Sequence, residues 1–140
     1  QPLQEVHQMI RVAMIDDHDM IREGFAAILK NDPEFSLVAQ GSRGDDAILI
    51  ARKDKPDVIL LDLKMPRLDG ADVLKALRAD PSTQRIPVVM FTSSNERSDV
   101  LRCYALGANS YVQKPVNFDE YETALGQVVH YWLRLNQLTD

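Results

Sequence analysis

The chain contains a single cysteine, Cys103, which excludes an internal disulfide and any cage of cysteine ligands around a metal. Such sparing use fits a reducing, cytoplasmic setting. No apolar run approaches the ~18 residues needed to span a membrane. No basic start followed by an apolar stretch marks a secretory signal. Basic residues do not dominate either: 16 Lys and Arg stand against 21 Asp and Glu, leaving a net charge of −5. The Lys and Arg are scattered among acids, so a nucleic-acid-binding surface, which needs a basic patch, is not expected. Low-complexity segments and long linkers are missing too, and 140 residues suit one domain with a full core. The chain opens on Gln1, and Met9 begins the first apolar segment, so residues 1–8, with His7, are read as a tail without a role.

What is present is alternation. Short apolar runs at 11–15, 36–39, 57–61, 86–91 and 109–112 read as strands. Between them lie segments of helical period. Ile21, Phe25, Ile28 and Leu29 share one face of 19–30, and Ala47, Ile48 and Ala51 share one face of 45–53. Val73, Leu74 and Leu77 stripe a helix that follows the turn Leu68-Asp69-Gly70 and breaks at Asp80-Pro81-Ser82. A helix over 96–106 stops at Gly107, and a last one over 118–135 repeats Phe118, Tyr121, Leu125, Val128 and Trp132. Five strands alternating with five helices imply an α/β domain of parallel strands joined by right-handed crossovers. Ligands of such sheets bind beyond the carboxyl ends of the strands.

Four of those ends carry groups suited to phosphate chemistry. Met14-Ile15 runs into Asp16-Asp17, and Val58-Ile59-Leu60-Leu61 into Asp62. Val88-Val89-Met90-Phe91 runs into Thr92, and Tyr111-Val112-Gln113 into Lys114-Pro115. Three carboxylates brought together repel one another, and a hard divalent cation such as Mg²⁺ relieves that repulsion through oxygen ligands. The cation also gathers a phosphoryl donor. Asp62 follows the most apolar strand, near the centre of the edge, and is assigned as the nucleophile that forms an acyl phosphate. Asp16 and Asp17 would hold the metal directly or through water, with Lys114 and Thr92 binding phosphoryl oxygens. Singly each signal is weak, since paired aspartates often make a turn and a threonine often caps a helix. Together, in order, they are specific.

These pieces resemble the receiver domain of two-component response regulators. The match runs through Val-Ala-Met-Ile-Asp16-Asp17, Pro-Asp-Val-Ile-Leu-Leu-Asp62-Leu-Lys-Met-Pro66, Val-Val-Met-Phe-Thr92-Ser93 and Gly107-Ala-Asn-Ser-Tyr111-Val-Gln-Lys114-Pro115. The resemblance implies a flavodoxin-like fold, a doubly wound five-stranded parallel sheet in order 2-1-3-4-5. The receiver would fill residues 9–136, with 137–140 as a tail. Asp62 would take phosphate from a sensor histidine kinase. Asp17, Asp62 and the backbone carbonyl of Lys64 would ligate Mg²⁺, with Asp16 acting through water. Thr92, Ser93 and Lys114 would meet the phosphoryl group, Tyr111 would be the rotating switch aromatic, and the Lys114–Pro115 bond would be cis. Phosphorylation would shift the surface of helix 4, strand 5 and helix 5 between two states.

The two halves point to different relatives. Residues 10–70, with Asp-Asp-His18 and Ile21-Arg-Glu-Gly24, look like receivers that precede a helix-turn-helix domain. Residues 92–135 resemble stand-alone regulators that accompany bacterial phytochromes. The stand-alone reading is favoured, because the last helix leaves about five residues and the later half carries the output surface. It implies a phytochrome-like kinase as partner and a homodimer as a further candidate, with Tyr131, Leu133, Leu135 and Leu138 as exposed apolar residues. His18 is read as capping or facing solvent and His130 as lying on a polar helix face. Rival readings are an aspartyl-phosphate phosphohydrolase, whose usual Asp-x-Asp directly after the first strand is met here by adjacent aspartates with no cap-domain or substrate-pocket insertion, and a phosphate-independent adaptor, which would tend to lose Asp62 or Lys114. A receiver fragment of a DNA-binding regulator is the remaining alternative.

Overall fold

The computed structural model describes residues 9–115, 117–128 and 131. Its elements are β1 (Ile10–Ile15), α1 (Asp19–Lys30), β2 (Phe35–Gly41), α2 (Gly44–Asp54), β3 (Val58–Leu61), α3 (Gly70–Ala79), β4 (Val88–Thr92), α4 (Arg97–Ala105), β5 (Ser110–Gln113) and α5 (Phe118–Val128). The strands form one parallel sheet in the order β2-β1-β3-β4-β5. This is the parallel α/β sheet that the alternation implies, in the doubly wound, flavodoxin-like order that the family resemblance implies.

Side chains on successive strand residues point to opposite faces, so each apolar strand supplies two cores. Ala13, Ile15, Ile59, Leu61, Val88 and Met90 pack on one face beneath α2, α3 and α4. Val12, Met14, Val58, Leu60, Val89 and Phe91 pack on the other, with Phe25 and Leu29 of α1 and Val128 of α5. All four residues of β3 are buried, as a strand covered on both faces requires. Each such side chain contributes roughly 2 kcal/mol over an exposed one.

β2 is longer than its sequence suggests, seven residues rather than four, because an edge strand tolerates polar Ser36 and Gln40 and has no unbroken apolar run to announce it. α3 begins on a reciprocal cap in which Asp69 accepts from the Asp72 amide and Asp72 from the Asp69 amide. α4 gives way at Leu106 to Gly107, whose φ of +104° suits glycine. Trp132, Leu133, Leu135, Leu138 and His130, named from the last helix, lie outside the described residues, as do residues 1–8 and 137–140.

Candidate functional site

The ladder hydrogen bonds continue past the strand ends and hold the loops in register. The Asp16 amide donates to the Gly41 carbonyl at 3.0 Å, the Asp62 amide to Ile15 at 2.9 Å, and the Lys114 amide to Thr92 at 2.6 Å. Ile15 pairs with Leu61, and Thr92 with Gln113, so Asp16, Asp62, Thr92 and Lys114 emerge at one edge of the sheet.

There the side chains converge. The Lys114 ammonium lies 2.5 Å from Asp16 Oδ2 and 3.4 Å from Asp62 Oδ2. Ligand atoms of Asp16, Asp17, His18 and Asp62 all lie within 4.8 Å of one another. Asp16, Asp62, Thr92 and Lys114 are buried, and Asp17 is partly so. Burial raises the Asp62 carboxyl above the usual carboxylate range; the Lys114 charge and a hydrogen bond from Thr92 pull it back, and the negative charges of Asp16 and Asp17 push it further up. Three carboxylates thus share one buried ammonium, an excess of negative charge that a low-dielectric pocket does not hold cheaply.

Both oxygens of Asp16 are engaged. Oδ1 takes the His18 amide at 2.9 Å and faces the His18 ring, while Oδ2 takes Lys114. Asp17 differs: its Oδ1 is buried and accepts no hydrogen bond. Buried oxygens are ordinarily satisfied, so an orphan aimed at a carboxylate cluster fits a bound cation. The three carboxylates, two buried and one partly so, are oxygen donors of the kind a hard divalent ion takes.

The remaining predicted residues divide. The Lys64 ammonium pairs with Asp99 at 3.2 Å. Ser93 is exposed, whereas its neighbour Ser94, which no sequence signal singles out, sits at a junction. The Ser94 amide donates to Thr92 Oγ1 at 3.4 Å, its hydroxyl donates to Asp99 Oδ2 at 2.6 Å, and its carbonyl accepts from the Tyr111 hydroxyl at 2.9 Å. Tyr111 is half-buried, burial raises its phenol, and its amide donates to the Tyr104 hydroxyl at 3.1 Å.

One expectation is corrected and another is met in part. The Lys114–Pro115 bond is trans, and no cis peptide occurs among the described residues. The trans form is the more stable one even before proline, and it already lets Lys114 reach both aspartates. His18 occupies the position before α1 and stays exposed to solvent as expected, but it makes no side-chain cap; one edge of its ring lies 2.8 Å from Asp16 Oδ1 and 3.1 Å from Asp17 Oδ1. Adjacency to Asp16-Asp17 was the available signal, and the ring nitrogen's hydrogen bond to Asp16 Oδ1 is what holds the ring there.

A family model described as the response regulator receiver domain matches residues 12–126. The chain is 37% identical over 119 residues to the nitrate/nitrite response regulator protein homolog of Haemophilus influenzae, covering 85% of this chain and 55% of that protein. The chain therefore spans about half the length of the curated relatives it matches. Among solved structures it is similar to the phosphorylated cyanobacterial phytochrome response regulator RcpA, with a TM-score of 0.88, 26% identity, and coverage of 95% of this chain and 100% of that one. It is also similar to the Mn²⁺-bound form of response regulator Rcp1, with a TM-score of 0.83, 27% identity, and coverage of 93% and 99%.

Proposed function

Because the chain belongs to the response regulator receiver family, we propose that Asp62 accepts a phosphoryl group from a histidine kinase in a Mg²⁺-dependent reaction. The observation that carries this reading is the placement of Asp62 Oδ2, 3.4 Å from the Lys114 ammonium and within the cluster that holds the orphaned Asp17 oxygen. Asp17, Asp62 and the Lys64 carbonyl hold the cation, and Asp16, already engaged by Lys114 and His18, acts through water. The cation supplies charge compensation and a seat for a phosphoryl oxygen.

The chain's own residues do the rest. Asp62 is the nucleophile. Lys114 pairs with a second phosphoryl oxygen, and Thr92, hydrogen-bonded to Asp62 before transfer, turns its hydroxyl to a third, with Ser93 alongside. Movement of Thr92 pulls on the Ser94 amide and so on the carbonyl that holds Tyr111. The face of α4, β5 and α5 then changes, with Leu101 and Tyr104 exposed on it for a partner or a second copy. A phytochrome-like kinase in the cytoplasm is the partner that the likeness to RcpA supports. Among the described residues no helix is long and apolar enough to cross a membrane.

The test is incubation with acetyl phosphate and Mg²⁺, read by intact mass. Addition of one phosphoryl group to the wild type and none to Asp62→Asn supports the reading. Rapid turnover of phosphomonoesters would instead make the chain a phosphohydrolase, and no incorporation would make it an adaptor. Size-exclusion chromatography with and without beryllofluoride reads whether self-association follows the switch.

A further inference from the structure

We propose that His18 is a nitrogen donor to the cation of this site and biases it toward borderline transition ions, such as Co²⁺, Ni²⁺ and Zn²⁺, relative to Mg²⁺. The inference rests on the receiver reading of the carboxylate cluster and adds a residue to it.

A six-coordinate ion with ligands at about 2.1 Å holds neighbouring donors about 3.0 Å apart and opposite donors about 4.2 Å apart. His18 Nδ1 lies 3.1 Å from Asp17 Oδ1 and 4.0 Å from Asp62 Oδ2, the two carboxylates proposed to bind directly. One ring nitrogen therefore stands as neighbour to the first donor and nearly opposite the second.

The bland account is that the ring merely neutralises Asp16, 2.8 Å away. Asp16 Oδ1 accommodates both the His18 amide and the ring nitrogen, and Lys114 takes Oδ2, so Asp16 stays paired when Nδ1 gives up that contact to an ion. Asp17 Oδ1 is the buried oxygen left over, and it is the one at ligand spacing from Nδ1. That amide bond also anchors the residue, so the ring starts from a fixed backbone. The side chain is 59% exposed, which leaves an entry path for an ion.

Chemistry supplies the consequence. Mg²⁺ prefers oxygen and gains little from imidazole, whereas Co²⁺, Ni²⁺ and Zn²⁺ bind it well as the free base. Replacing the ring by a carbonyl oxygen should therefore lower affinity for transition ions while leaving that for Mg²⁺ nearly unchanged.

The experiment has two readouts. In protein carrying ¹⁵N-histidine, Zn²⁺ should move the His18 Nδ1 resonance, identified by its loss in His18→Asn, and saturating Mg²⁺ should reverse the shift. In calorimetric titrations, the Co²⁺-to-Mg²⁺ affinity ratio should fall roughly tenfold in His18→Asn, the scale of losing one supporting group at a metal site. An unmoved ring resonance or an unchanged ratio overturns the inference and leaves the receiver reading standing, since Mg²⁺ still binds. A Zn²⁺ shift that persists under saturating Mg²⁺ also overturns it, by placing the ion elsewhere. Failure of the wild type to bind any of these cations overturns both.

Discussion

Lys114 and Asp16, 98 positions apart in the chain, meet through an ammonium-to-carboxylate contact of 2.5 Å with both side chains buried. Deleting one member of such a pair leaves the other charged and unsolvated, which costs about 3–5 kcal/mol. Asp16 retains the His18 contacts, so Lys114→Met should lose about 3 kcal/mol, at the lower end of that range. The loss should show in urea denaturation with a chelator present. Mg²⁺ should then restore the variant more than it stabilises the wild type, because the ion replaces the missing positive charge. Equal stability of the two proteins without metal would contradict the pairing.

Asp62 carries the opposite sign. Burial first, then the charges of Asp16 and Asp17, raise its carboxyl above the ordinary range despite Lys114 and Thr92. A carboxyl raised on folding favours the fold while protonated, below its unfolded value near 4, and loses that contribution as pH climbs through the folded value. At neutral pH its charge is thus a cost. Asp62→Asn should stabilise the metal-free protein at pH 7 by roughly 1 kcal/mol, an ordinary single-substitution effect. The gain should shrink on acidification toward pH 4 and on adding Mg²⁺. Denaturation midpoints at the two pH values, with and without metal, check both trends.

The chemistry of the site was legible because each of four strands ends on a polar group, and parallel topology delivers strand ends to one edge. Burial of β3 was legible for the same reason, since Val58 to Leu61 has no polar residue to place outward. β2 was half visible, because its edge position removes the need for a continuous apolar run. What stayed hidden depends on side-chain direction. His18 is solvent-facing as its sequence position suggests, but the contact of its ring with Asp16 is visible only once that carboxylate is placed, and nothing in the sequence separates Ser94 from Ser93. The trans bond before Pro115 shows the limit of carrying over a backbone detail by resemblance.

Asp99 ties the site to α4. Its carboxyl accepts the Ser94 hydroxyl at 2.6 Å and meets the Lys64 ammonium at 3.2 Å. The Ser94 hydrogen bond first, then Lys64, hold it below the usual carboxylate range, against the opposing effect of burial. A carboxyl depressed on folding stabilises the fold above its unfolded value and loses that contribution as pH falls through the folded one. Lys64 is 57% exposed, so its ion pair is worth little, within about 1 kcal/mol. The Ser94 bond to a buried charge is worth more, about 1.5–3 kcal/mol. Asp99→Asn should therefore destabilise at pH 7 and much less at pH 3, while Lys64→Ala should change stability little at either. The same substitution should free Ser94 and broaden the amide resonance of Tyr111, because the serine carbonyl anchors that tyrosine.

Gly70 opens α3 and read in sequence as a turn residue, but its backbone conformation is not what demands glycine. The demand is space. A Cβ there would lie 2.3 Å from the Asp62 carbonyl oxygen and 2.8 Å from Leu63 Cα, both backbone atoms that cannot swing aside. Gly70→Ala must therefore displace the segment that carries Asp62, at a cost of roughly 1–3 kcal/mol, the usual range for overpacking. It should also slow incorporation from acetyl phosphate at temperatures where the variant is still folded, since the nucleophile moves with its carbonyl. Gly126 provides the control. It lies in α5, and a Cβ there meets nothing within 4 Å, so Gly126→Ala should gain up to about 1 kcal/mol of helix propensity and leave phosphorylation unaltered. If both variants were phosphorylated at the wild-type rate, the packing of α3 against the phosphoacceptor loop would have no part in positioning Asp62.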